Sequence, residues 1–356
     1  MKHVISLIAI FFSILTFSCK DQKEKLENTE STFIKIDLDG KLEKKNIEDI
    51  ASAINFVILE EDEEYPIGEI DKLLISKNNI YVLDGYKSKS LYIYDKEGNL
   101  KKTIHDVGYG PGEYISLSDF DIDQRSNTLC VLDGNQRKLL SYSTNGDFIS
   151  ELNLNRKNFH INRIAISKNE DIVLDRGNSS TETYLEIIEK DGQKKAALID
   201  VPEEYLNITI SPRHPLQKYG DTILYMPSLN PSIYNVINNE AILRYQIDFG
   251  KYWPSDNYFE TAKSNHPLKI AQGLVKDNYA GFLNFIETKD ILHLNFEYNG
   301  KISYYKNKHS GKTIMFYHTD EQFDFPITAD ETSFICVAYR EDGSPALIFF
   351  DIDWSI

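Results

Sequence analysis

The stretch 120-FDIDQRSNTLCVLDGNQRKLLSYSTNGDFISEL-152 decides the fold. It reads as four short extended runs separated by polar turns. Apolar residues in 139-LLSYS-143 alternate with a period of two, as in a strand, and 145-NG-146 is a hairpin signal. The same order recurs on either side, in 73-LLISKNNIYVLDGYKSKSLYIYDKEGNLKKTI-104 and 164-IAISKNEDIVLDRGNSSTETYLEIIEKDGQKKAALI-199. Each copy has a run ending in Val-Leu-Asp, and the shared aspartates Asp84, Asp133 and Asp175 lie 49 and 42 residues apart. A helical solenoid of that period would carry a 3.6-residue pattern. Four antiparallel strands per repeat fit the blade of a β-propeller instead.

Working outward, a fourth blade is expected at about 205–250, with 222-TILYMP-227, 233-IYNVI-237 and 242-ILRYQIDF-249 as strands. The pattern breaks at 251–278, an insertion whose spacing suits short helices bounded by Pro267. A fifth blade resumes at 280–318, and a sixth at 325–354 supplies only three strands. The run 54-INFVILE-60, ahead of the first repeat, is the available fourth. The expectation is therefore an all-β, six-bladed propeller over 33–356, closed non-covalently by an N-terminal strand so that no sheet edge is left open.

The opening 1-MKHVISLIAIFFSILTFSCK-20 has a basic start, an apolar run from Val4 to Phe17 and a cysteine behind it. Fourteen residues are too few to span a bilayer comfortably and fit a secretory leader. Polar 20-KDQKEKLENTEST-32 then reads as a tether. The remaining cysteines, Cys130 and Cys336, sit in apolar runs and are expected as buried thiols. The 356-residue chain has a formal net charge of −16. Such a field repels phosphate backbones, which excludes nucleic acid as a natural partner.

The leader with Cys19 resembles a bacterial lipoprotein signal, which implies cleavage after residue 18, acylation of Cys19 and a tether over 19–32. Together with the Val-Leu-Asp blades and 108-GYGPGEY-114, it resembles the six-bladed β-propeller lipoproteins of the Bacteroidetes, relatives of NHL-repeat propellers. The resemblance implies an outer-membrane lipoprotein of the cell envelope, on the periplasmic side or the cell surface. Membrane contact would be through the lipid alone.

Blade geometry sends the connection 108–114 and the loops 84–90, 133–138 and 175–180 to one rim. Gly108, Gly110 and Gly112 permit positive φ, and Glu113 can accept from nearby backbone N–H groups. A phosphate cradle would lead into a helix, whereas this turn leads into a strand. Candidate ligand-binding residues on the rim are Tyr86, Tyr109, Glu113, Tyr114, Arg137, Arg176, Arg213 and His214. Tyr252 and Trp253 either join such an aromatic platform or pack the insertion. Asp84, Asp133 and Asp175 either cap their own loops or converge on a calcium ion, the one cofactor under consideration.

No catalytic constellation stands out. The leading reading is a binding or scaffold protein presenting its rim to a glycan, a peptide or an envelope protein. The competing class is a metal-dependent propeller enzyme, a lyase or lactonase-like hydrolase working in the central channel. Fold alone does not separate them.

Overall fold

The structure, a computed structural model, describes residues 32–154, 160–178, 182–208, 210–262, 265–319 and 323–356. Cys19, the leader and the tether up to residue 31 lie outside the described residues; Thr32, the last residue assigned to the tether, belongs to the first strand. Six antiparallel sheets follow one another as blades 1 to 6, at 72–104, 119–153, 163–200, 216–248, 281–318 and 328–352. Within blades 1 to 5 the strands run in chain order from one side of the sheet to the other. Blade 1, for example, comprises Lys72–Ile75, Ile80–Asp84, Ser90–Tyr94 and Leu100–Ile104.

Three N-terminal strands are added from outside. Strand β1 (Thr32–Lys35) lies parallel to the last strand of blade 4, and β2 (Lys44–Lys45) parallel to the last strand of blade 5. Strand β3 (Ala51–Ile58) pairs antiparallel with Pro345–Ile352 and supplies the missing edge of blade 6, with Ile54 opposite Phe350 and Ile58 opposite Ala346. The closing strand expected at 54–60 is thus present, beginning three residues earlier. The five-stranded blades 4 and 5 were not anticipated.

The core is divided among the six gaps between neighbouring sheets. Tyr81 and Leu83 of blade 1 pack with Phe120 and Val131 of blade 2, while Ile80 and Val82 turn the other way, towards Ile335 and Leu347 of blade 6. Period-two alternation therefore puts every residue of 80-IYVLD-84 out of solvent. Each buried Ile, Leu or Val contributes about 1.5–3 kcal/mol. Cys130 and Cys336 are buried, unbridged thiols within these gaps.

The insertion forms α1 (Asp256–Ala262) and α2 (Pro267–Lys276). Pro267 occupies the first turn of α2, where its missing N–H costs nothing, and His266 caps it by accepting from Leu268 N–H. Phe259 and Ile270 bury against Tyr205 and Leu229. No helix among the described residues is long and apolar enough to cross a membrane.

Between blades 5 and 6, His293 is fully buried and stacked on Tyr305 at 4.4 Å between ring centroids. Neither ring nitrogen has a partner among the described residues. Burial, with a smaller contribution from His318, pushes its pKa down to about 3. The folded value lies below the unfolded one, about 6.5, so this contribution is complete above that pH and is lost as pH falls towards 3.

Two outcomes are expected. Removing residues 1–58 should abolish the single cooperative transition seen by circular dichroism during urea unfolding, because blade 6 loses its edge strand. His293→Phe should flatten the acid limb of stability against pH by about 1.4 kcal/mol per unit below pH 6.5; an unchanged limb would clear His293 of that role.

Candidate ligand face and central channel

Antiparallel order within a blade puts its first and third turns on one face, the hairpin face. Its middle loop and the connection to the next blade lie on the opposite face, the loop face. The segment 108–114, a connection, lies on the loop face with the middle loops of blades 1 and 2.

The 108–114 turn is held by many internal bonds. Gly108 N–H donates to Tyr114 O at 2.9 Å, and Gly110 N–H donates to Glu113 Oε2 at 2.7 Å. Blade 2 clamps it from below: buried Lys138 donates to Glu113 O at 2.9 Å, and Glu151 accepts from Gly112 N–H at 2.8 Å. Of the three glycines only Gly112 has positive φ, +78°. Gly108 and Gly110 instead leave room for the Glu113 carboxylate, whose Oε2 would lie 2.0 Å from a Cβ at Gly108 and 3.1 Å from one at Gly110. Tyr114 is fully buried, its hydroxyl donating to Lys89 O at 2.8 Å. Neither Tyr114 nor the bonded oxygen of Glu113 is turned to a ligand; both shape the turn.

The repeated aspartates tie each middle loop to the connection entering its blade. Asp84 accepts from Lys87 N–H in its own loop at 2.8 Å and from Gly68 and Glu69 N–H in the connection at 2.8 and 3.1 Å. Asp133 does the same with Asn135 and Gln136 at 2.9 Å each and Ile115 at 2.6 Å. Asp175 accepts from Gly177 N–H at 3.1 Å and the Tyr225 hydroxyl at 2.8 Å, and burial raises its pKa despite these bonds. Among the described residues no group of three or more His, Cys, Asp or Glu side chains could hold a metal ion.

Other predicted site residues divide sharply. Arg176 is buried and paired with Glu186 at 3.0 Å, so it serves blade 3 internally. Trp253 stacks on Phe249 at 5.3 Å and Tyr252 bonds Asp39, so both pack the insertion. Tyr86 and Tyr109, by contrast, are 82% and 84% exposed. They stand on adjacent elements of the loop face, and Arg137, at φ +56°, lies in the next loop. Arg213 is exposed, and His214 lies beside it at the start of blade 4.

The inner strands of all six blades enclose a channel cavity of about 200 Å³. Its polar lining binds the blades together. Asp119 of blade 2 accepts from Lys72 of blade 1 at 2.7 Å and from Ile164 N–H of blade 3 at 2.7 Å. Asp121 accepts from Lys218 of blade 4 at 2.8 Å and Ile166 N–H of blade 3 at 2.6 Å. These residues, together with Arg163, were not singled out from sequence. The signal was available in 119-DFDID-123, whose alternate acids mark a strand with one polar face.

Asp133→Ala should therefore lower stability by about 2–3 kcal/mol in urea unfolding, since three backbone donors lose a charged acceptor. The loss should be the same with and without calcium; stabilisation by calcium that the variant abolishes would reassign the aspartate as a ligand.

In fold, the chain is similar to a protein of Bacteroides fragilis NCTC 9343 whose name describes it as exported, at 17% identity and a TM-score of 0.76, covering 90% of this chain and 100% of that one. It is also similar to a DUF4221 family member from Bacteroides vulgatus ATCC 8482, at 13% identity and a TM-score of 0.57, covering 85% and 97%. No curated protein matches its sequence. Residues 33–345 match the family described as a domain of unknown function, DUF4934, and the chain belongs to that family.

Proposed function

We propose that the protein is an exported, lipid-anchored binding protein of the cell envelope, and that the loop face takes its ligand, a glycan, a peptide or a partner protein. The single observation that carries this reading is the pair Tyr86 and Tyr109. They are the two most exposed large hydrophobic side chains of the described body, in a structure that buries Tyr92, Tyr184, Tyr225 and Phe120 completely. Their loops are braced by Asp84 and by the bonded turn at 108–114, so two rigid aromatic surfaces are held out at little entropic cost.

Export is supported by the leader-like start and by the name of the Bacteroides fragilis relative. The lipid anchor rests on Cys19 behind the apolar run. A lyase or hydrolase with a channel metal fits less well. His214, which lines the channel cavity, sits in the field of Lys72, Arg163 and Arg213, which repels a divalent cation.

Labelling of expressing cells with an alkyne fatty acid should tag the wild type and leave Cys19→Ala untagged and released from membranes. Residues 32–356, which hold all six blades and the closing strand, should recognise discrete ligands on glycan and peptide arrays. Tyr86→Ala/Tyr109→Ala should lose that binding at an unchanged melting temperature. Binding indifferent to the double variant would remove the tyrosines from the ligand surface.

A further inference from the structure

Basic side chains from two blades and one connection meet where the channel opens on the loop face: Lys72 of blade 1, Arg163 of blade 3, and Arg213 and His214 leading into blade 4. Carboxylates outnumber lysine and arginine 55 to 39 in this chain. Yet neither arginine makes an ion pair among the described residues. Arg163 donates through Nη1 to Asn162 O at 2.9 Å and Ser118 O at 3.3 Å, and through Nε to Arg213 O at 3.3 Å. Arg213 donates through Nη2 to Ile70 O at 2.9 Å. Every one of these acceptors is a neutral carbonyl.

Acids that feel these guanidinium groups bond elsewhere. Asp71 accepts through Oδ2 from Gly85 N–H, and Asp175 through Oδ1 from Gly177 N–H. Asp324, which also feels Arg213, is paired with Lys301. Lys72 is spent on Asp119 and Phe120 O.

His214 lines the cavity wall beneath the arginines, and both of its ring nitrogens are buried without a partner among the described residues. Buried polar groups are rarely left so. Burial first, then Lys72, Arg163 and Arg213, hold its pKa well below the usual histidine range. The ring is therefore neutral, with one nitrogen able to donate.

We propose that this mouth is an oxyanion-binding site, in which Arg163 and Arg213 hold a carboxylate or phosphate group of the ligand and His214 donates to it from the channel wall. Guanidinium forks suit both groups through paired N–H···O bonds. An anion would supply the charge partner that the arginines lack and the acceptor that the buried imidazole lacks. The site rests on the loop face being the ligand face, but not on Tyr86 or Tyr109, so the two tests fail separately.

The test is an NMR titration of ¹⁵N-labelled residues 32–356 at neutral pH and constant ionic strength, with acetate in one arm and inorganic phosphate in the other. The His214 imidazole signal, assigned with His214→Gln, should shift saturably. In Arg213→Gln, an exposed substitution whose melting is checked alongside, affinity should fall by about tenfold or more, the usual loss for one charge-assisted bond. Saturation with acetate alone supports the site and identifies a carboxylate ligand; saturation with phosphate alone supports it and identifies a phosphate. A linear drift with both anions, meaning an adventitious ion only, overturns it. So does a response that Arg213→Gln leaves intact.

Discussion

Pairing of β3 with the last strand of the chain is the contact on which the rest of the architecture depends. A propeller has no central core; its apolar surface lies in gaps between sheets, and each gap needs both walls. Without β3, blade 6 ends on an unpaired edge. The segment carrying β3 also does more than pair. Ile34 and Ile36 enter the gap between blades 4 and 5, Ile47 and Ile50 the gap between 5 and 6, and Leu59, Ile67 and Ile70 the gap between 6 and 1. Half of the gaps are thus completed by chain that precedes the first blade, which ties local strand formation to closure of the whole ring.

Inside the ring a second set of links acts across the channel. Asp119 and Asp121 each accept from a backbone N–H of blade 3 and from a lysine on another blade, and Gln217 exchanges two hydrogen bonds with the backbone of Glu287 at 2.9 Å each. Buried charges are costly unless paired and hydrogen-bonded, and these satisfy both conditions. Their effect is to set the spacing of the inner strands. The cavity is therefore a rigid feature, and residues at its mouth are held by the same framework.

The fold was legible because blades are local: four strands and three turns fall within some forty residues, and Val-Leu-Asp recurs with them. The repeated aspartate was legible too, since a capping role needs only its own loop, although its second bond to the incoming connection was not. Strands β1 and β2 escaped notice because Thr32–Lys35 and Lys44–Lys45 are too short to show a period. The site was legible only in part. Sequence marked Arg213 and His214, but not Arg163 or Lys72, because the channel gathers one or two residues from each of several inner strands far apart along the chain. Tyr114 and Arg176 were marked for their chemistry, and burial decided against them.

Charge connects these points. A chain with net charge −16 repels anions at long range, yet its channel mouth holds two arginines, Arg163 and Arg213, that no carboxylate pairs with among the described residues. Over about 8 Å of physiological salt the distant acids are screened, whereas the arginines act at contact distance beside low-dielectric walls. Local field therefore decides what can enter. The positions that set that field are the ends of inner strands and the connections above them, outside the apolar gaps that hold the ring closed. Side chains there can be exchanged without opening a gap, so the propeller can be kept while its mouth is retuned. That separation is the physical reason that fold similarity at 17% identity speaks to the ring and leaves the ligand to be read from the mouth.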